Sequence, residues 1–180
     1  MSEELHELQE HAEHAKHDAS LAPVTLTMAV LAVLLATASL LGHRSGTEEV
    51  ILQNKVTDQW AYYQAKNIRR HIDDLFADLA SVIANKDAEA TAKLQEKYRA
   101  EAERYRDEQK ELDTKARELE KEFERAHRKT DRFDLAEVFL EIALVITSIT
   151  LLSGRKLFWR LGLVLGAVGV IVAMSAGLVK

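Results

Sequence analysis

The chain has 180 residues, 47% of them hydrophobic and 29% charged, with a formal net charge of -5. It contains no cysteine, which excludes a disulfide framework, a thiolate metal site and a cysteine nucleophile. The near-zero mean hydropathy averages two opposed populations. Almost all charge lies in residues 1–20 and 43–134, and such segregation divides a chain into an aqueous part and a lipid part.

With one proline (Pro23) and seven glycines, little in the chain breaks a helix. The charged stretch has few β-branched residues and no hairpin-type turns, so strand signals are missing. The expected fold class is an all-α membrane protein with three transmembrane helices. A long antiparallel coiled-coil helical hairpin is expected between the first and second.

Residues 1–20 read as an acidic, histidine-rich flexible tail. His11, His14 and His17 follow one another at i,i+3 among Glu7, Glu10 and Glu13, with His6 upstream. Imidazoles at that spacing can share zinc, nickel or copper. Nothing closes such a site within one chain, and a polar tail whose charge changes around pH 6–7 is the plainer reading.

The first apolar run, Ala22 to Leu41, is long enough to cross a hydrocarbon core of about 30 Å, giving a transmembrane helix over 21–42. It follows an acidic tail rather than a basic n-region, so it is expected to be retained rather than cleaved as a signal.

The charged segment 43–134 has a fine structure. Leu94 and Tyr98, then Tyr105, Gln109, Leu112, Ala116, Leu119, Phe123, Ala126, Thr130 and Phe133 alternate at steps of three and four. Ile68, Ile72, Leu75, Leu79 and Val82 do the same. Both series are expected to form the heptad seam of the hairpin. Ser45 followed by Glu48 has capping-box spacing for a helix start near Thr47, and a turn is expected near 85–90. A turn centred on Asp87 would set Leu79 near Gln95 and Ile72 near Glu103. One such hairpin buries little, so several copies are expected to pack as a homo-oligomer.

Two further apolar runs predict transmembrane helices at 135–153 and 157–179, separated by a tight turn. Arg155, Lys156 and Arg160 at that turn argue that it is cytoplasmic. The N-terminus would then be cytoplasmic and the hairpin periplasmic. Arg44, Arg128, Lys129 and Arg132 on the hairpin side argue the other way.

Three stretches are familiar. Thr57-Asp58-Gln59-Trp60-Ala61-Tyr62-Tyr63-Gln64-Ala65-Lys66 closely resembles a signature of the DUF4337 family of bacterial membrane proteins. Leu26 to Ala36 is similar to that family's first helix, as is Phe133 to Glu137 leading into Leu140 to Leu144. The resemblance implies a three-span protein of the bacterial inner membrane and supplies no function.

Glu137 and Glu141 lie at i,i+4 near the start of the second span, one turn beyond Asp134. A carboxylate in a span is costly and is a functional hypothesis by default. His43 and Arg44, leaving the first span on the same side, are the natural ion-pair partners, and local pairing is the favoured reading. Trp60, Tyr62 and Tyr63 form an aromatic contact patch rimmed by Lys66, Arg69 and Arg70. Adjacent positions 62 and 63 cannot both face one seam, so an intersubunit contact is expected there. Gly162, Gly166, Gly169, Ala173 and Gly177 line one stripe of the third span, a spacing that permits close helix–helix approach.

No phosphate-cradling loop, zinc-protease motif or serine elbow occurs, no basic nucleic-acid face is present, and no cofactor is implied. The expected function is therefore non-enzymatic. An oligomeric integral membrane protein presents a helical-hairpin stalk as a scaffold or accessory surface for an unidentified membrane or periplasmic partner. The alternative is a small channel or proton/cation transport component using Glu137 and Glu141.

Overall fold

A computed structural model describes residues 2–82 and 88–179, with side chains described from residue 21 onward. Three helices account for nearly all of it: α1 (Ser2–Val82), α2 (Ala88–Ser153) and α3 (Lys156–Ala176). The all-α expectation holds, and no strand occurs among the described residues. Each helix contains a segment long and apolar enough to cross a membrane, with mean hydropathy of 2.3, 2.1 and 2.1 in the most apolar windows of α1, α2 and α3. Of the expected turn near 85–90, residues 85–87 lie outside the described residues and residues 88–90 are already helical in α2.

The Ser45–Glu48 spacing does not start a helix, because α1 runs unbroken through it. Ser45 is instead buried, at 3% exposure. A capping box acts only where the preceding residues leave helical geometry. Here the apolar run of the first span is already helical and carries the ladder onward. Between α2 and α3 the chain does turn sharply. Gly154 takes φ +64, a conformation that suits glycine, and its amide donates to the Thr150 carbonyl at 2.9 Å.

The chain divides into two compact units. The first comprises residues 1–47 and 127–180. Its core is Leu31, Ala38, Leu140 and Ala143, with Leu34, Leu35, Leu144, Leu165 and Val170 packed around them. Glycine sets how closely α3 approaches. A Cβ on Gly162 would run into Thr147 Oγ1 and stand 3.0 Å from the Ala143 carbonyl oxygen. One on Gly166 would lie 2.6 Å from Leu31 Cδ2, and one on Gly169 2.9 Å from Leu140 Cγ. Side-chain bonds fasten α3 near both ends. The Trp159 indole donates to Thr27 Oγ1 at 3.0 Å, and Arg132 Nη1 donates to Ser175 Oγ at 2.8 Å.

The second unit comprises residues 48–126. Its cross-helix contacts pair Trp60 with Glu120, Gln59 with Leu112, Lys66 with Glu108 and Phe76 with Tyr98. Numbers rise on α1 as they fall on α2, so the two segments run antiparallel. Of the α2 series, Gln109, Leu112, Ala116 and Ala126 are buried in this unit and Leu94 is exposed; Ala102, outside the series, is buried as well.

None of the α1 series is buried. Ile68, Ile72, Leu75, Leu79 and Val82 are 59%, 44%, 67%, 51% and 81% exposed. The residues of α1 buried in this unit are Leu52, Val56, Ala77 and Ala80. A heptad row marks a face that gains by being covered. Which face meets α2 is decided here by small alanines and by specific polar and aromatic pairs.

Candidate functional site

The densest side-chain constellation lies in the 48–126 unit, around the predicted aromatic patch. Trp60 and Tyr63 meet edge to face, with centroids 5.4 Å apart and planes at 78°, the geometry that aligns a positive ring edge with a negative face. The Trp60 indole N–H, which needs an acceptor when covered, donates to Glu120 Oε1 at 2.9 Å.

One turn further along α1, Lys66 Nζ donates to Glu108 Oε2 at 2.5 Å. The same ammonium sits 4.8 Å from the Tyr105 ring centroid and 5.5 Å from that of Tyr62, both within cation–π range. Arg104 also lies over the Tyr105 ring, 5.0 Å from its centroid, and pairs with Glu101 at 2.5 Å. The hydrogen bond Lys66 donates to Glu108, reinforced by that carboxylate's charge and by Tyr62, raises the Lys66 pKa above the ordinary lysine value against a smaller desolvation effect. Tyr62 is half exposed at 51%, whereas Tyr63 is partly covered. Of the predicted rim, Lys66 joins the cluster and Arg70 bonds to Asn67 Oδ1 at 3.1 Å. Arg69 is exposed.

Such a cluster holds two helices in register and leaves an aromatic face outside.

In the other unit, Glu137 is half-buried and Glu141 exposed on the surface of α2. Neither has a hydrogen-bond or ion-pair partner among the described residues. His43 and Arg44, both exposed, are not joined to them. The sequence periodicity explains the separation. Leu140 and Ala143 take the inward face of α2 at 1% and 0% exposure, and that rotation carries position 141 outward.

The predicted glycine stripe splits in two. Gly162, Gly166 and Gly169 are buried against α1 or α2, while Ala173 is half-buried and Gly177 exposed. The side chains of His11, His14 and His17 lie outside the described residues. Among the described residues no group of three or more histidine, aspartate or glutamate side chains converges as a metal site.

Sequence reasoning missed Glu108, Glu120 and Arg104 as partners of the aromatic patch. It also missed the Arg132–Ser175 and Trp159–Thr27 bonds. The acidic partners carry no local signal, since carboxylates at three- and four-residue steps fill this whole segment. The tryptophan bond was findable in principle, because a covered indole needs an acceptor.

No curated protein and no solved structure matches this chain. The family model described as "Domain of unknown function (DUF4337)" matches residues 20–179, nearly the whole sequence. The signature at residues 57–66, with Trp60 bound to Glu120 and Lys66 to Glu108, lies within the match, and the chain belongs to the DUF4337 family.

Proposed function

We propose that the protein is a non-enzymatic membrane scaffold. Residues 48–126 form a helical-hairpin stalk outside the bilayer, and several copies associate through it. The observation that carries this reading is the bare row Ile68, Ile72, Leu75, Leu79 and Val82, spaced four, three, four and three residues apart along α1. Such a row lets one helix insert its side chains between those of a neighbour. Phe76 at 48% exposure widens the apolar face, and Ile72, Leu75, Phe76 and Leu79 line a shallow depression of about 240 Å³ on it. An uncovered apolar face in water is unfavourable in proportion to its area, and a second copy of the chain offers the same row.

The experiment is mass photometry of the full chain in lipid nanodiscs, with Leu75→Glu and Leu79→Glu together as the variant. A single closed oligomer for the wild type that falls to monomer in the variant is the expected result. A wild-type monomer at micromolar concentration would sink the reading. Both substituted positions are exposed in the single chain, so loss of the monomer fold is not expected.

The transport reading rests on Glu137 and Glu141. On one chain Glu141 is on the outer surface, so a conducting path would have to be built between copies. In the scaffold reading Glu141→Gln leaves assembly intact and changes no ion flux.

A further inference from the structure

The first unit holds an apolar cleft of about 370 Å³ where its three helices diverge. Leu34 and Leu41 of α1, Phe133 and Leu140 of α2, and Val170 and Met174 of α3 form its walls. Thr37 also lines it, but its hydroxyl is spent on the Val33 carbonyl at 2.8 Å. The walls therefore offer no free donor. An apolar recess on a span opens to hydrocarbon, and water there would find no partners.

One end of the cleft carries a positive charge. Arg132 directly precedes Phe133, and Ser175 directly follows Met174, so the Arg132–Ser175 bond joins α2 and α3 next to two lining residues of the cleft. That bond uses one of the five guanidinium donors, leaving a planar fork suited to phosphate oxygens. The acid beside Arg132 in sequence, Asp131, lies 3.7 Å from His127 Nε2, and the next along α2, Asp134, is about 200° around the helix from Arg132. It points toward Gly42 instead, where an added Cβ would lie 3.5 Å from Asp134 Oδ1. Neither carboxylate forms an ion pair with Arg132 among the described residues. Basic groups at the rim of a recess between spanning helices bind anionic lipid head groups.

We infer that this cleft is an anionic phospholipid site, with one acyl chain between the three helices and the lipid phosphate on Arg132. Ser175 orients the guanidinium and holds α3 at the distance that keeps the cleft open. The inference concerns the 1–47 and 127–180 unit alone and stands whether or not the stalk assembles.

The test is native mass spectrometry of the full chain in non-ionic detergent, with phosphatidylglycerol or phosphatidylcholine added. The expected result is selective retention of phosphatidylglycerol, weakened about fivefold in Arg132→Gln, the effect of one basic side chain on an anionic lipid. Arg132→Lys keeps most of the affinity. Gly177→Leu, at an exposed helix end with φ -69 that accepts any L-residue, projects a side chain into the cleft and removes retention of both lipids. Equal retention by the wild type and Arg132→Gln overturns the headgroup contact, and retention unchanged by Gly177→Leu overturns the cleft. Displacement of phosphatidylglycerol by millimolar inorganic phosphate makes it a free-anion site and overturns the lipid assignment. So does a wild type that retains no lipid and gains mass in whole chains.

Discussion

The two units hold their helices together by opposite means. In the 1–47 and 127–180 unit, contact depends on side chains that are missing: Gly162, Gly166 and Gly169 bring α3 against Thr147, Leu31 and Leu140. In the 48–126 unit, contact depends on side chains that are added: an indole on a carboxylate, an ammonium between two phenols, a phenylalanine on a tyrosine. The contrast fits the proposed placement of the first unit in lipid and the second in water. In lipid, pressing leucine against leucine gains nothing over leucine against acyl chain, so close approach must supply the attraction. In water, apolar contact is favourable wherever it forms. Such a unit can use polar pairs to select its register and leave further apolar rows for other partners.

The largest effect expected from this contrast is at Gly162. A valine there would collide with Thr147 Oγ1, and that hydroxyl is fixed by its own 2.7 Å bond to the Ala143 carbonyl. Overpacking of a close contact costs about 3 kcal/mol. Gly162→Val should show it as a lowered denaturant midpoint in micelles, followed by tryptophan fluorescence. Gly177→Ala is the control, since its Cβ would meet only the Met174 carbonyl at 3.4 Å. A similar loss at both positions would mean that helix propensity, not close approach, decides this unit. Thr147→Ala should restore part of the loss in Gly162→Ala, because the colliding atom is gone.

The next effect lies in the other unit. Trp60→Phe keeps an aromatic ring against Tyr63 and deletes the hydrogen bond to Glu120. A bond to a charged acceptor is worth about 1.5 kcal/mol, less where the pair is open to water. Glu120→Gln should cost less than Trp60→Phe, since an amide oxygen still accepts. Thermal melts of the helical signal for the three proteins separate these cases. If Trp60→Phe is neutral, the ring alone fastens the segment, and the contrast between added and missing groups weakens.

Much of this molecule was legible in the sequence. The three apolar runs predicted three helices long and apolar enough to cross a membrane, because length and composition decide that question without reference to any partner. Part of the α2 series lies inward, with Gln109, Leu112, Ala116, Ala126 and Phe133 buried, while Leu94 is exposed. The α1 row at 68–82 was assigned to the same seam and lies outside it. Periodicity finds a face that gains by burial and cannot say what covers it, and here Ala77 and Ala80 give α2 a closer fit than Leu75 or Leu79 would. The same limit applies to the site. Trp60, Tyr62, Tyr63 and Lys66 were conspicuous as a local cluster. Their partners Glu108 and Glu120 become special only once the antiparallel register is known. Glu137 and Glu141 were conspicuous for the opposite reason, as charges in an apolar run, and the single chain leaves both without a partner among the described residues.

A smaller effect tests the charge at the centre of the cluster. The Lys66 pKa is raised, chiefly by its hydrogen bond to Glu108. The stabilisation from this pair is therefore fully present below the ordinary lysine value of about 10.5 and lost as pH rises through the higher folded value. Glu108 is 38% exposed at its side chain, and solvent screening keeps the pair below about 1 kcal/mol. Wild type and Glu108→Gln should therefore melt apart at pH 8 and converge toward pH 12. Tyrosine titration in the same range is common to both proteins and cancels in the difference. Curves that stay parallel would mean that the cation–π contacts, not the carboxylate, hold Lys66.

The smallest expected effect sets the scale for the others. Glu111 and Lys115 form a 2.7 Å pair on the same unit, with side chains 69% and 56% exposed. The bond to Lys115 lowers the Glu111 pKa below the ordinary value of 4.5. Whatever the pair contributes is present above that value and lost as pH falls through the lower folded one. Both groups stand in water, where two long side chains lose as much freedom as the screened attraction returns. Glu111→Gln should leave the melting curve at pH 7 unchanged, and the curves should show no divergence between pH 3 and 5. A shift as large as that of Glu108→Gln would show that position in the cluster confers nothing special on Lys66. Charge on this unit would then be general solvation of a helix surface, and the seam would rest on its buried alanines and leucines alone.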